Sequence, residues 1–440
     1  MSNLTRRRFL RQAALTAGAV SLGPLARPAL AQAAKDKLNI AVIGVGGRGH
    51  ANLLAMASEN VVALCDVDRN HLDSAAKLFP QARRYADFRE LLDKESSLDG
   101  AVVSTPDHTH AAASVKAMKR GLHVYCEKPL THSVYEARVM AEVAAQKKLV
   151  TQMGTGAQSS EEHIRAVEII QAGAIGDVFE AHCWTNRPIW PQGQDRLAGE
   201  DQVPAHLNWD LWIGPAPMRP FKDKYPDGPF KGQRIYHPFV WRGWWDFGTG
   251  ALGDIAPHIT NVVFWALNLG APTSIEAECS GMKPEAFPSW SVIRFEFPAR
   301  GKLPPVKLVW YDGGKKPPVE LVEGQALPDN GTLFVGRKGR LLVEGAKLYP
   351  KKDFADFAPP APTLPRREEI HADWLRAVKE GDQTGCHFGY AGPMTEAYLL
   401  GNIALKVGRK IEWDPVGMKI ANCPEANQYI KATYRSGWEL

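Results

Sequence analysis

Gly44-Val45-Gly46-Gly47-Arg48-Gly49 sets three glycines in a G-x-G-x-x-G pattern, and Asp66 follows at about the 20-residue distance where an acid meets an adenosine ribose. Glycines here let a turn of backbone approach a pyrophosphate, and the helix opening at the turn offers free N–H groups. Gly47 and Arg48 stand inside the same turn and are expected at the cofactor with it. A carboxylate at Asp66 accepts hydrogen bonds from both ribose hydroxyls and repels a 2′-phosphate, so the pattern predicts NAD rather than NADP. The plain alternative is a glycine turn that binds nothing. Asp68, close by, reads as a solvated turn residue.

Asp254 and His258 are four residues apart and share one face of a helix. Oxidising an alcohol requires a proton acceptor on the hydroxyl and a hydride acceptor facing the carbon, and a histidine near neutral pH suits the first role. The structural alternative has Asp254 capping a helix over 255–269 and His258 packed in a core. His108 and His110 form an H-x-H pair, but no further ligand stands at metal-site spacing, so no metal is assigned. His110 is instead expected to start a helix near the nicotinamide. The six cysteines are scattered without a C-x-x-C pair, which argues against zinc and against a disulfide framework.

The elements that must position these residues alternate through the first third of the chain. Apolar runs at 38–43, 60–65, 101–104, 122–126 and 149–152 read as strands. Helical patterns at 72–78, 88–94, 110–120 and 134–147 lie between them. That order implies a doubly wound parallel sheet covered on both faces. From about Thr151 the alternation stops. Segments 178–186, 274–281, 291–297, 306–311, 332–335 and 340–343 read as strands of an open, largely antiparallel sheet. Helical stretches at 368–379 and 394–407 are expected to close the domains together, after a Pro-rich crossing at 358–365. The fold class is therefore α/β, with domains at 37–150 and 151–440.

Two strand ends narrow this further. The third strand leads into Ser104-Thr105-Pro106-Asp107-His108-Thr109-His110, and the fourth into Cys126-Glu127-Lys128-Pro129-Leu130. A Thr-Pro turn followed by Glu-Lys-Pro resembles the glucose–fructose oxidoreductase / inositol dehydrogenase / rhizopine-catabolism (Gfo/Idh/MocA) family. The resemblance covers about residues 37–440 and extends to Gly250-Ala251-Leu252-Gly253-Asp254-Ile255-Ala256-Pro257-His258. It implies an N-terminal Rossmann domain with NAD and a C-terminal α+β substrate domain. It also implies that Lys128 reaches the reacting hydroxyl, that Glu127 touches the nicotinamide ribose, and that Thr105, Pro106 and His110 lie at the cofactor. Asp254 is then the substrate-binding acid and His258 the catalytic histidine. Ala256-Pro257 and Asn261 depart from the family pattern, which bears on the substrate more than on the chemistry. A lysine cation beside the histidine stabilises developing alkoxide and discourages protonation of the ring.

Tryptophan crowds the middle of the chain, interleaved with polar residues in Pro- and Gly-rich sequence. Rings beside polar side chains suit sugars, whose C–H faces stack while hydroxyls bond at the edge. Arg187, Trp190, Trp241 and Trp245 are the expected substrate contacts, and most other rings are expected to be core or loop anchors. The region 186–246 reads as an insertion that shapes a pocket or a subunit contact, and a homo-oligomer is expected.

The N-terminus carries Thr5-Arg6-Arg7-Arg8-Phe9-Leu10, an uncharged run at 13–25 and Ala29-Leu30-Ala31. This reads as a twin-arginine export signal over 1–31, cleaved to give a soluble periplasmic protein. The apolar run is shorter than the roughly 20 residues of a spanning helix. Export of a folded chain by the twin-arginine machinery lets it acquire cofactor first. The formal charge of +5 includes the signal arginines, so the mature chain is near neutral and offers no case for nucleic acid. Together these features predict a periplasmic oxidoreductase with tightly bound NAD, acting on a secondary hydroxyl of a sugar, cyclitol or glycoside. A redox-neutral glycosidase that oxidises, eliminates and returns the hydride is the rival. A non-catalytic sugar-binding protein is a third reading.

Overall fold

The computed structural model describes residues 37–440, so the expected export signal lies outside the described residues. The first sheet is built from β1 (Asn39–Ile43), β2 (Asn60–Cys65), β3 (Arg83–Tyr85), β4 (Gly100–Val103), β5 (His123–Glu127) and β6 (Thr151–Gly154), all parallel, in the order β3-β2-β1-β4-β5-β6. Every residue of β4 and β6 is buried, as a parallel strand covered on both faces requires. Helices α1 (Arg48–Ala55), α2 (Arg69–Leu78), α3 (Phe88–Lys94), α4 (Asp107–Lys119) and α5 (Val134–Lys147) make the crossovers. Ser133 and Glu136 form a capping box that fixes the start of α5, just after the Glu-Lys-Pro strand end. The strand order reverses between β1 and β4. In such sheets the ligand crevice opens beyond the carboxyl ends of the strands at that point.

The second domain begins with α6 (Glu161–Gln171) and β7 (Val178–Trp184). A long excursion follows, with only α7 (Trp209–Ile213) and a short 3-10 turn as regular structure before α8 (Gly250–Ile259) and α9 (Asn261–Leu267). The large sheet adds β8 (Ser274–Cys279), β9 (Ser291–Phe297), β10 (Val306–Tyr311), β11 (Gly331–Gly336), β12 (Arg340–Leu342) and β13 (Lys347–Tyr349). Then come α10 (Ile370–Glu380), α11 (Phe388–Val407), β14 (Ile411–Asp414) and β15 (Lys419–Ile420). Its order is β13-β12-β11-β7-β10-β9-β8-β14-β15, antiparallel except where β10 runs parallel to β7. α10 returns to the first domain, where Ile370, Trp374 and Leu375 join the core of Ile40 and Val42. α11 packs between α5 and β8. Among the described residues, no helix is long and apolar enough to cross a membrane.

Two expectations change. The helix anticipated at 255–269 is two helices, and Asp254 sits inside α8 rather than capping it. The chain turns earlier, at Gly250 with φ +67°, a conformation that glycine adopts without strain. Pro257 then removes one N–H from the ladder, and α8 gives way to α9 at Thr260. The short edge strand β3, with two exposed residues in its three, gave no apolar pattern to read.

Candidate active site

A cleft of about 530 Å³ runs along the carboxyl ends of the first sheet, roofed by the 186–246 excursion. At its mid-point stands the glycine turn. Gly44 has φ +83°, and a Cβ there would lie 2.6 Å from the Ser104 carbonyl oxygen. A Cβ at Gly49 would collide with the Gly44 carbonyl, so this third glycine lets α1 approach the strand. It lies beneath the turn, whereas Gly44, Gly46, Gly47 and Arg48 line the cleft. Gly47 has open space on its Cβ side. Asp66 lines the cleft as well, its Oδ2 accepting from the Val45 (2.9 Å) and Gly46 (3.2 Å) amides and its Oδ1 from the Asp68 amide. Bare backbone at the turn, a helix start beyond it and an acid at the end of β2 fit a dinucleotide.

Asp68 is not solvated. It is 4% exposed, caps α2 through the Asn70 amide and accepts from His237 Nε2 at 2.9 Å. Burial would raise its pKa, but the His237 bond and the Asn70 amide bring it to about 2. Asp68, His71 and His237 bring ligand atoms within 4.8 Å of one another, a grouping that excludes His108 and His110.

The other end of the cleft gathers the residues of the Glu-Lys-Pro and Asp-x-x-x-His segments. Lys128 Nζ donates to Asp254 Oδ1 at 2.7 Å and to the Asp254 carbonyl at 3.0 Å. Arg242 Nε donates to the same Oδ1 at 2.9 Å. Burial opposes ionisation of Asp254, yet the Lys128 and Arg242 charges hold it well below the usual carboxylate range. Glu127 Oε1 accepts from Arg48 Nε (3.0 Å) and Asn52 Nδ2 (2.9 Å). Burial again opposes ionisation, and the Arg48 and Lys128 charges outweigh it to lower the Glu127 pKa.

His258 lines the same wall. Burial first, then the Lys128 charge, push it down to about 4, so the ring is neutral at neutral pH. Thr155 Oγ1 donates to the Pro257 carbonyl at 3.1 Å and lies 3.2 Å from His258 Nδ1. The hydroxyl proton is therefore engaged, Nδ1–H donates to Thr155, and Nε2 is left as the acceptor.

Thr105, Pro106, Glu127 and Trp241 line the cleft as expected. His110 does not. Its ring bridges the Thr105 and Pro129 carbonyls, both at 2.8 Å, and so ties the Thr-Pro turn to the Glu-Lys-Pro turn from behind. Trp190 also stands back. Its Nε1 donates to Gln192 and its edge meets Phe239, in a cluster where Arg242 lies 4.3 Å from the Trp241 ring and 4.4 Å from that of Phe239. Arg187 bonds Asn186 outside the cleft, and Trp245 faces a separate cavity. The excursion has a core of its own, which includes Trp209, Trp212, Tyr236, Trp244 and Phe247.

Two residues of the cleft, Arg242 and Asp107, and one buried behind His258, Thr155, were not anticipated as site residues. Arg242 was visible as a cation amid tryptophans. Thr155 follows β6 without any motif. Asp107 follows the Thr-Pro turn, its Oδ2 accepting from Thr249 Oγ1 at 2.7 Å and its Oδ1 unpaired. Burial and the charge of Asp254 raise Asp107 to about 7.

Comparison with known proteins agrees with this geometry. Residues 38–155 match the model of the GFO_IDH_MocA oxidoreductase family, NAD-binding Rossmann fold, and residues 177–440 match its C-terminal alpha/beta domain. Inositol 2-dehydrogenase 1 of Saccharopolyspora erythraea is 30% identical over 152 residues, 33% of this chain and 45% of that protein. Levoglucosan dehydrogenase of Pseudarthrobacter phenanthrenivorans is 26% identical over 155 residues, 33% of this chain and 40% of that protein. The matches thus span about half or less of these relatives' length. Among solved structures, a levoglucosan dehydrogenase in complex with NADH and levoglucosan shares the fold, with TM-score 0.55 and 16% identity over 86% of this chain and 99% of the other. GenD2 from gentamicin A biosynthesis, in complex with NAD, has TM-score 0.56 and 19% identity over 86% of this chain and 97% of the other. With both halves matched over these ranges, the chain belongs to the Gfo/Idh/MocA family of NAD-binding oxidoreductases.

Proposed function

We propose that this protein is an exported oxidoreductase with resident NAD that acts on a secondary hydroxyl of a sugar, cyclitol or glycoside. The observation that carries the reading is the charge-clamped lysine beside a neutral histidine: Lys128 held on Asp254 at 2.7 Å, with His258 in the same wall. A substrate hydroxyl placed between Lys128 Nζ and His258 Nε2 gives its proton to the histidine as the carbon loses hydride. Lys128 stabilises the developing alkoxide, and Asp254 with Arg242 keeps the ammonium aimed. Nicotinamide bound in the cleft supplies the hydride acceptor. The substrate class is supported by relatives named as inositol and levoglucosan dehydrogenases. Export rests on the Thr5–Leu10 arginine motif and the small-residue site at Ala29-Leu30-Ala31. Changing Arg6 and Arg7 to lysine should leave the chain in the cytoplasm.

One observation favours a second reading. A redox-neutral glycosidase needs a proton donor for the leaving oxygen, and Asp107, raised to about 7, is a cleft carboxyl that stays partly protonated near neutral pH. Incubating purified protein with reducing sugars and aryl glycosides, without added NAD, separates the two. Oxidised product supports the dehydrogenase. Free aglycone with unoxidised sugar supports the glycosidase. Neither product from any compound would contradict both.

A further inference from the structure

Behind Glu127 a chain of buried side chains runs back to the end of the second domain. Glu127 Oε1 takes the bonds from Arg48 and Asn52, with Tyr125 Oη 3.5 Å away. Among the described residues Oε2 has only the Lys128 amide, at 3.3 Å. One oxygen is thus fixed to the protein, and the other keeps acceptor capacity for a ligand hydroxyl. A Cβ at Gly154 would lie 2.8 Å from both oxygens, so the bare end of β6 leaves the carboxyl its place. Glu127 and Gly154 line the cleft, whereas Asn52, on α1 and fully buried, lies behind it.

Asn52 serves Glu127 in one orientation only. Its Nδ2 donates to Glu127 Oε1 and to Ser104 Oγ, each at 2.9 Å. A flipped amide would set a carbonyl oxygen against the carboxylate. The group that holds this orientation comes from the far end of the chain. His371 Nε2 donates to Asn52 Oδ1 at 2.9 Å, across 319 positions of sequence. His371 is buried in the first turn of α10. Glu369, the N-cap of that helix, accepts from the His371 amide and lies 2.8 Å from Nδ1, which orders the ring from its other nitrogen. The ring also stacks on Tyr125, with centroids 4.8 Å apart.

We propose that His371 is a positioning residue for the nicotinamide-ribose site, acting through Asn52 on Glu127. The proposal rests on Glu127 meeting that ribose, as the family resemblance implies. Neither His371 nor Asn52 lines the cleft, so neither is itself a contact of the cofactor. Without the Nε2 donor, Asn52 Oδ1 is a buried acceptor with no partner. Its amide is then free to turn over, and Glu127 loses a bond that aims it. The first domain therefore binds NAD at full strength only with α10 docked on it.

The test is calorimetric titration of the full-length protein, freed of bound nucleotide, with NAD and with ADP. ADP carries the adenosine and the pyrophosphate but no nicotinamide ribose, so the aim of Glu127 does not bear on it. His371→Phe keeps a ring against Tyr125 and removes the donor. It should weaken NAD about tenfold and leave ADP as in the parent protein. His371→Gln, whose amide nitrogen stands in for Nε2, should bring NAD affinity back to within about threefold of the parent. Asn52→Ala should weaken NAD at least as much as His371→Phe, and combining the two should bring no further loss, since the histidine acts through the asparagine. Unchanged NAD affinity in His371→Phe, no rescue by glutamine, or additive losses in the double variant would overturn the proposal. A parallel loss of ADP would assign His371 to the fold of the domain and overturn it as well. Parent protein that binds NAD no more tightly than ADP would overturn the role given to Glu127, and the proposal with it.

Discussion

The two ends of the cleft are held by different forces. At the reacting end, Lys128, Arg242 and Asp254 form a compact charge cluster, with Glu127 and Arg48 beside it and a neutral histidine alongside. Its partners lie within 3.0 Å of one another, and removing one leaves a buried charge exposed to its neighbours. At the adenosine end, three distant segments meet through backbone bonds and stacked rings. The excursion ties to the β2–α2 turn by Asn208 N to Val67 O (2.9 Å), Arg69 N to His206 O (2.8 Å) and His237 to Asp68. The tail adds Trp438, whose ring lies 3.9 Å beneath the Arg89 guanidinium and edge-on to Phe88. Arg89 also donates to the Gly437 carbonyl at 3.0 Å, and Arg435 to that of Gly214 at 2.7 Å. Trp212 and Trp438 both line the cleft there. In the proposed function, one end moves a proton and the other keeps a ligand in place.

Substitutions should therefore separate turnover from retention. The largest effect belongs to the reacting end. Lys128→Met and His258→Ala should each lower turnover by about two orders of magnitude or more, with cofactor content unchanged. Near-wild-type turnover in either variant removes that residue from the chemistry.

Next in size is the tail. Deleting residues 437–440, or Trp438→Ala, should speed release of bound NAD on the order of tenfold while leaving turnover of the loaded protein close to normal. Stopped-flow exchange against excess labelled NAD reads this directly, and an unchanged release rate would mean that the tail is not part of the wall.

The pH dependence sharpens the contrast. His258 is depressed to about 4, so the acid limb of kcat/KM should fall near pH 4 rather than at 6.5. A folded pKa below the unfolded value contributes stability that is present above about pH 6.5 and lost as pH falls toward 4. Asp107 runs the other way. Its folded pKa of about 7 exceeds the ordinary carboxylate value of 3.8, so its contribution is present at low pH and lost as pH rises through 7. Asp107→Asn should flatten that loss, and a chemical-denaturation series from pH 4 to 8 measures it.

The smallest effect concerns cofactor choice. Asp66→Ala should narrow, without reversing, the preference for NAD over NADP. An NADP affinity in the parent protein equal to that for NAD would sink the role given to Asp66.

The sequence was most legible where a motif sits at a strand end. Gly44 and Asp66 follow from strand-turn-helix order, because a parallel sheet delivers its loops to one edge, and Glu127 and Lys128 at a neighbouring strand end were legible through the family resemblance. His258 and Asp254 were legible through the family resemblance, and the alternative of a cap at Asp254 fails because the helix starts at Gly250, five residues before position 255. The excursion was the least legible part. Its tryptophans have the composition of a sugar site, yet most of them pack on one another, as Trp209 and Trp212 do at 4.7 Å. Composition cannot tell a ring facing ligand from a ring facing another ring. Trp438 could not be anticipated at all, because its role depends on where the last residues meet Arg89, about 350 positions away along the chain.

The central claim is that NAD is a resident of this cleft. Protein purified without added cofactor should be denatured and the released nicotinamide quantified. About one equivalent per chain, persisting through prolonged dialysis, is the result the account predicts. Empty protein that turns over only with free NAD supplied at every cycle would contradict it.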